Sequence, residues 1–182
     1  MSHTSKNLSL AAMFIAIGLV LPFLIFQIPQ IGMMLLPMHI PVLLCGLICG
    51  RKYGLLVGFI VPILRGALFG MPALFPMGTS MAFELATYGF VIGLLYHHVF
   101  RVRNMVSLFI SLVIAMIVGR IIWGVAMALF VNIDGGTFTW PWFVGGALLN
   151  AIPGIVLQLV LIPVIMLALY RSKIVRRPDS EG

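Results

Sequence analysis

Long apolar segments alternate along the chain with short connections that are polar or rich in glycine and proline. A transmembrane α-helix needs about 20 mainly apolar residues to cross a hydrocarbon core of about 30 Å. The pattern therefore predicts six transmembrane helices in one membrane domain over residues 1–170, followed by a short basic cytoplasmic tail over residues 171–182. The six segments cover residues 8–26, 35–50, 53–68, 79–99, 105–131 and 143–170.

The connections carry residues that end helices. Residues 69–78 contain two prolines and two glycines without a charge, so we expect an apolar loop there. The second segment is short for a full crossing, and Pro37 and Pro41 near its start would weaken its first turns. We expect residues 27–34, 69–78 and 132–142 to form loops on the outer side.

Composition agrees with a membrane protein. Hydrophobic residues make up 62% of the chain and charged residues 8%, and the mean hydropathy is +1.20. Soluble domains contain about a quarter charged residues. We therefore predict an all-α, multi-pass protein of the cell membrane. The net charge of +7 reflects membrane topology rather than nucleic-acid binding, because the basic residues lie between the apolar segments.

The basic residues predict the orientation. Short loops that retain Lys and Arg stay in the cytoplasm during insertion. The chain has eleven such residues, and all but Arg65 and Arg120 lie on a single side of the six-helix arrangement. Both termini are therefore predicted to be cytoplasmic. The residues on that side are Lys6, Arg51, Lys52, Arg101, Arg103, Arg171, Lys173, Arg176 and Arg177.

Five polar residues lie within five different apolar segments, where an ionisable group costs about 3 kcal/mol or more. With a rise of about 1.5 Å per residue, the two arginines lie about 18 and 22 Å from the inner surface. The other three lie about 6 to 10 Å from the outer surface. The five therefore share one band of the membrane: His39, Arg65, Glu84, Arg120 and Asn150.

Two interpretations of this band remain open. Glu84 could pair with Arg65 or Arg120 and simply lock the helices together. Alternatively, the residues form a substrate pocket open to the outer face, in which two arginines against one glutamate favour an anionic ligand. Trp123 follows Arg120 by about one helical turn and would then supply an aromatic wall beside it.

The sequence shows no set of residues for catalysis. It has no phosphate-binding loop motif, only one acidic residue within a span, and no His and Cys cluster of metal-ligand spacing. Cys45 and Cys49 fit a helix core as small apolar residues. We therefore expect a protein that is not an enzyme and that has neither a cofactor nor a metal site. Transport energy would have to come from a partner or an ion gradient.

Four stretches resemble the substrate-binding S components of energy-coupling factor (ECF) vitamin transporters. These are the Ala12-xxx-Ala16 pair, LPMHIPVLLCGLICGRKYG at residues 36–54, FELATYG at 83–89 and GRIIWG at 119–124. The resemblance implies a water-soluble vitamin or precursor bound near the outer face. It also implies a complex with a membrane T component and two cytoplasmic ATPases, in which the S component reorients to release its cargo. Ala12 and Ala16 would face the T component, and the outer loops would cap the pocket.

Within that family the chain looks most similar to the pantothenate-type members. Pyridoxine, a thiamin pyrimidine precursor and niacin remain open as substrates. A different class of protein, a small membrane scaffold of cell-wall assembly, is similar in size and helix count and would bind no ligand. A solitary ion-coupled carrier is disfavoured, because the sequence shows no inverted repeat.

Overall fold

The computed structural model describes residues 3–25, 36–100, 104–133, 135–136, 139, 145 and 151–172. Every regular element among these residues is helical. A π-helical turn, Leu95–Val99, extends the fourth helix at its C-terminal end, and another turn, Leu74–Gly78, precedes the N-terminal end. The α-helices are α1 (His3–Ile25), α2 (His39–Cys49), α3 (Arg51–Phe69), α4 (Thr79–Leu94), α5 (Met105–Ile133) and α6 (Ile152–Arg171).

Five helical stretches within the described residues are long and apolar enough to cross a membrane. The prediction of a multi-pass helical protein is therefore confirmed, although the sixth crossing is not. The five stretches are Thr4–Phe23, Arg51–Phe69, Leu74–Val99, Met105–Ile133 and Ile152–Arg171.

The second predicted span is the exception. Its helix α2 contains 11 residues, which is about 16 Å of helix against a hydrocarbon core of about 30 Å. The helix begins at His39 because Pro37 disfavours helical geometry in the residue before it. Pro41 lies in the first turn, where a missing N–H breaks no hydrogen bond of the helix. The predicted start at residue 35 lies outside the described residues.

The predicted loop at residues 69–78 is present with almost the predicted bounds. Phe69 is still helical, and Gly70, with φ of 69°, ends α3 by donating its N–H to the carbonyl of Gly66. The chain is non-helical from Gly70 to Ala73, and Phe75, within the following turn Leu74–Gly78, is also extended, with φ of −129° and ψ of 137°. Helix α4 then begins at Thr79, where the fourth segment was predicted to start.

Helix α2 lies in the middle of the protein and packs against α1, α3, α4 and α6. Ten of its eleven residues are buried, including both cysteines, which are free thiols as the sequence suggested. A helix that is apolar all round is typical of such a position. By contrast, α5 exposes Ile117, Ile121 and Val125 on one face, as a lipid-facing helix does.

Glycines let the backbones of α3 and α4 touch. A Cβ atom added at Gly89 would collide with the carbonyl oxygen of Gly54, and one added at Gly58 would collide with the backbone of Leu85. A Cβ atom added at Gly46 of α2 would lie only 2.6 Å from the carbonyl oxygen of Gly89. Small residues are what allow membrane helices to approach this closely. Close glycine contacts therefore join α2, α3 and α4.

We predict that Gly89→Ala destabilises the protein, because the added methyl group must push the α3 and α4 backbones apart. Overpacking of this kind costs about 1–3 kcal/mol or more. The measurement is the melting temperature of the purified chain in detergent. Ala67→Val, which adds bulk on an exposed face of α3, is the control and should leave the melting temperature unchanged. Equal melting temperatures for Gly89→Ala and the wild type would contradict the packing.

Candidate functional site

Glu84 is the centre of a buried polar cluster that joins three helices. Its Oε1 atom lies 3.2 Å from Nη1 of Arg120 on α5 and 3.7 Å from Nε2 of His39 on α2. The same oxygen accepts a 3.0 Å hydrogen bond from the hydroxyl of Tyr88. We call these four residues the Glu84 cluster. Glu84, His39 and Tyr88 are each 1% exposed, so the carboxylate is compensated by protein groups rather than by water.

The local sequence explains how the cluster forms. Glu84 and Tyr88 are four residues apart on α4, so their side chains lie on one face of the helix. Helix α4 packs against both α2 and α5, which brings His39 and Arg120 to that face. Gly119 is essential to the arrangement, because a Cβ atom there would occupy the position of the Tyr88 ring. The absent side chain next to Arg120 therefore makes room for Tyr88.

The ion pair matters because a single charge cannot remain buried uncompensated. The Glu84 and Arg120 charges cancel, and the Arg120 side chain is only 12% exposed. Removing one member of such a pair leaves the other as an isolated buried charge, which costs about 3–5 kcal/mol. The pairing of Glu84 with Arg120, one of the two pairings that the interpretation as an internal lock allows, is therefore present.

Several buried polar atoms of Arg120, His39 and Gln158 have no hydrogen-bond partner among the described residues. Each such atom costs about 1–3 kcal/mol of desolvation, so it needs an explanation. The unpaired atoms are Nε and Nη2 of Arg120, Nδ1 and Nε2 of His39, and Oε1 of Gln158. The donors and acceptors they offer are those that a ligand could use.

Gln158 extends the polar region to α6 and was not among the predicted site residues. Its side chain is fully buried, and its Nε2 donates a 3.4 Å hydrogen bond to the carbonyl of Leu36. The same carbonyl accepts the backbone N–H of His39 at 3.1 Å. Leu36 has a φ of 48°, a left-handed conformation that non-glycine residues rarely adopt. Gln158 is therefore connected through one carbonyl group to the start of α2.

Trp123 lies about one turn along α5 from Arg120 and is 5% exposed. It packs with Met127, and Met77, Met81 and Val131 lie against this pair. The hydroxyl of Ser80 contacts the Met127 sulfur at 3.3 Å. Methionine side chains are flexible and polarisable and adapt to irregular partners. Trp123 and Met127 thus form an apolar wall on the same helix as Arg120.

Arg65 is not part of the cluster. Its Nη1 donates a 3.0 Å hydrogen bond to the carbonyl of Leu19 on α1, and its guanidinium lies 4.8 Å from the ring centre of Phe23 and 5.8 Å from that of Phe69. Arg65 thus connects α3 to α1. The expected convergence of five residues holds for His39, Glu84 and Arg120, whereas Asn150 lies outside the described residues.

The remaining predicted positions are on α1. Ala12 and Ala16 are both exposed, whereas Ala11, Phe14 and Gly18 on the same helix face the interior. The two alanines therefore lie on the exposed side of α1, together with Met13 and Ile17. Among the described residues no group of three or more His, Cys, Asp or Glu side chains could hold a metal ion.

Comparison with known proteins gives one match. A family model described as "ECF transporter, substrate-specific component" matches residues 6–166. No curated protein and no solved structure matches the chain. The matched range includes all the residues of the Glu84 cluster, the Trp123 wall and the two alanines of α1.

We predict that Glu84→Gln and Arg120→Gln each lower the melting temperature, because each leaves a buried charge without its partner. The double variant should be less destabilised than the sum of the two single variants, with a coupling of about 0.5–3 kcal/mol. The measurement is a double-mutant cycle of unfolding free energies in detergent. Strictly additive effects would show that the two side chains do not interact.

Proposed function

The chain belongs to the family of ECF transporter substrate-specific components, and we propose that it captures a water-soluble vitamin or vitamin precursor, with pantothenate as the best candidate. Family membership makes it a multi-pass membrane subunit that binds a small-molecule substrate for transport and is not itself an enzyme. It also implies a complex with a membrane T component and ATPase subunits. The substrate and the residues that bind it are our proposal.

The observation that carries the proposal is the set of unpaired buried atoms around the Glu84–Arg120 ion pair. A scaffold that used the pair only as a lock would have no use for unpaired donors beside it. In our proposal Arg120 receives an anionic group, His39 fixes its orientation, Glu84 neutralises and holds the arginine, and Trp123 covers the apolar part. Asn150 remains a predicted substrate contact.

Arg65 has a structural role in the proposal. Its guanidinium already has a hydrogen bond and two aromatic neighbours in the described structure. A partly buried arginine over phenylalanine rings is stabilised by cation–π attraction. We therefore propose that Arg65 holds α1 against α3 and does not contact the substrate.

We propose that both termini face the cytoplasm and that the site opens toward the outer face. Helix α2 supports this orientation, because His39 is at one of its ends and the basic first residues of α3, Arg51 and Lys52, follow the other end after Gly50. A short basic turn is retained on the cytoplasmic side. His39 and the cluster around it would then lie nearer the outer surface, and the basic residues 171–182 would form a cytoplasmic tail.

We propose that two cytoplasmic ATPases supply the energy through the T component and that the S component reorients in the membrane to release its cargo. The exposed Ala12 and Ala16 support a helix–helix contact on α1, because small residues allow close approach. Pyridoxine, a thiamin pyrimidine precursor and niacin remain alternative substrates within the same function.

We predict that the purified chain retains its vitamin, which mass spectrometry of released small molecules would identify, and that Arg120→Ala weakens binding by more than about tenfold. The physical reason is the loss of the charged donors at the centre of the site. Arg51→Ala, which removes an arginine from the start of α3, is the matched control and should bind normally. Wild-type affinity in Arg120→Ala would make this residue purely structural.

A second prediction concerns α1. Ala12→Trp or Ala16→Trp should abolish vitamin uptake by cells while sparing binding to the purified chain, because a large side chain would separate α1 from the T component. Val160→Trp, at a position that is 61% exposed on α6, is the control and should preserve uptake. Normal uptake in both alanine variants would remove the coupling role.

A further inference from the structure

We propose that the substrate of this site is a monocarboxylic acid, that its carboxylate binds the Nε and Nη2 edge of Arg120, and that Glu84 is a positioning residue which does not contact the substrate. This inference rests on the proposed function and adds to it the chemical class of the substrate and separate roles for the two charged residues.

Only one of the three guanidinium nitrogens of Arg120 has a polar partner among the described residues. Nη1 is the atom that faces the Glu84 carboxylate, at 3.2 Å. Nε and Nη2 are buried and have no hydrogen-bond partner among the described residues. These two nitrogens lie on one edge of the planar group, and their two parallel N–H bonds match the two oxygens of a carboxylate. A lysine at this position could not offer such a fork.

Glu84 is already occupied by protein groups. One of its oxygens contacts Arg120, Tyr88 and His39, and the residue is 1% exposed. A fixed carboxylate on Nη1 holds the plane of the guanidinium and so directs the other edge. Because Glu84 cancels the charge of Arg120, a bound monocarboxylate gives the site one net negative charge and a dianion such as phosphate gives it two. We therefore expect the site to reject phosphate more strongly than a monocarboxylate.

The other unpaired atoms narrow the substrate further. Oε1 of Gln158 is an acceptor, and a neutral His39 can accept through one ring nitrogen and donate through the other. A substrate with a hydroxyl group or an amide N–H would satisfy Gln158. The wall of Trp123 and Met127 suits an aliphatic body. Pantothenate has all three features, niacin has only the carboxylate, and pyridoxine lacks it.

The experiment measures the affinity of the full-length purified chain for pantothenate, for its primary-alcohol analogue, for niacin and for pyridoxine. We expect pantothenate to bind at least about a hundredfold more tightly than the alcohol, because a site built for a polar group rejects the analogue that lacks it. Equal affinities of the acid and the alcohol would overturn the inference without the need for any variant.

Two variants test the separate roles. Arg120→Lys keeps the charge but loses the fork, so the preference for the acid should fall by at least about tenfold, whereas Arg51→Lys should leave it unchanged. In Glu84→Gln the site gains a net positive charge, so inorganic phosphate should compete with pantothenate at least about tenfold better than in the wild type. An unchanged preference in Arg120→Lys, or unchanged competition in Glu84→Gln, would overturn the corresponding role.

The outcomes also separate this inference from the proposed function. Tight binding of pyridoxine with no binding of either carboxylate would leave a vitamin-binding subunit and overturn the carboxylate inference. No binding of any of the four compounds, together with no vitamin in the purified chain, would overturn both.

Discussion

The cost of burying a charge in a membrane is the constraint on which the rest of this structure depends. Glu84 is buried in a helix that is long and apolar enough to cross a bilayer, and it is tolerable there only because Arg120, Tyr88 and His39 surround its carboxylate. Those three partners come from three helices. The same contacts therefore hold α2, α4 and α5 together. Glu84, which interrupts the apolar pattern of its segment, lies where these three helices meet.

Close backbone contact is what makes that meeting possible. Gly54 and Gly89 bring α3 and α4 together without intervening side chains, and Gly119 leaves the space that Tyr88 fills. In a bilayer the hydrophobic effect does not drive helices together, so van der Waals packing and hydrogen bonds must do it. The polar cluster consequently depends on the small residues, because its hydrogen bonds form only when the helices lie close together.

The structure also separates a polar interior from apolar outer faces that carry no site chemistry. The isoleucine and valine face of α5 and the alanine face of α1 are exposed, whereas the unpaired polar atoms are buried. In the proposed function, substrate binding inside and partner contact outside would use different residues.

The sequence by itself determined the class of the protein, most of its membrane segments, and the residues whose polarity conflicts with a bilayer, because hydropathy and helical rise depend only on the order of residues. It also predicts a common depth for these residues. Depth, however, does not specify direction around a helix. Only the tertiary structure decided that Arg65 turns toward Leu19 while Arg120 turns toward Glu84, that Tyr88 and Gln158 join the polar region, and that α2 is too short to cross alone. Those outcomes depend on how neighbouring helices are rotated and packed, which is a property of contacts between distant segments.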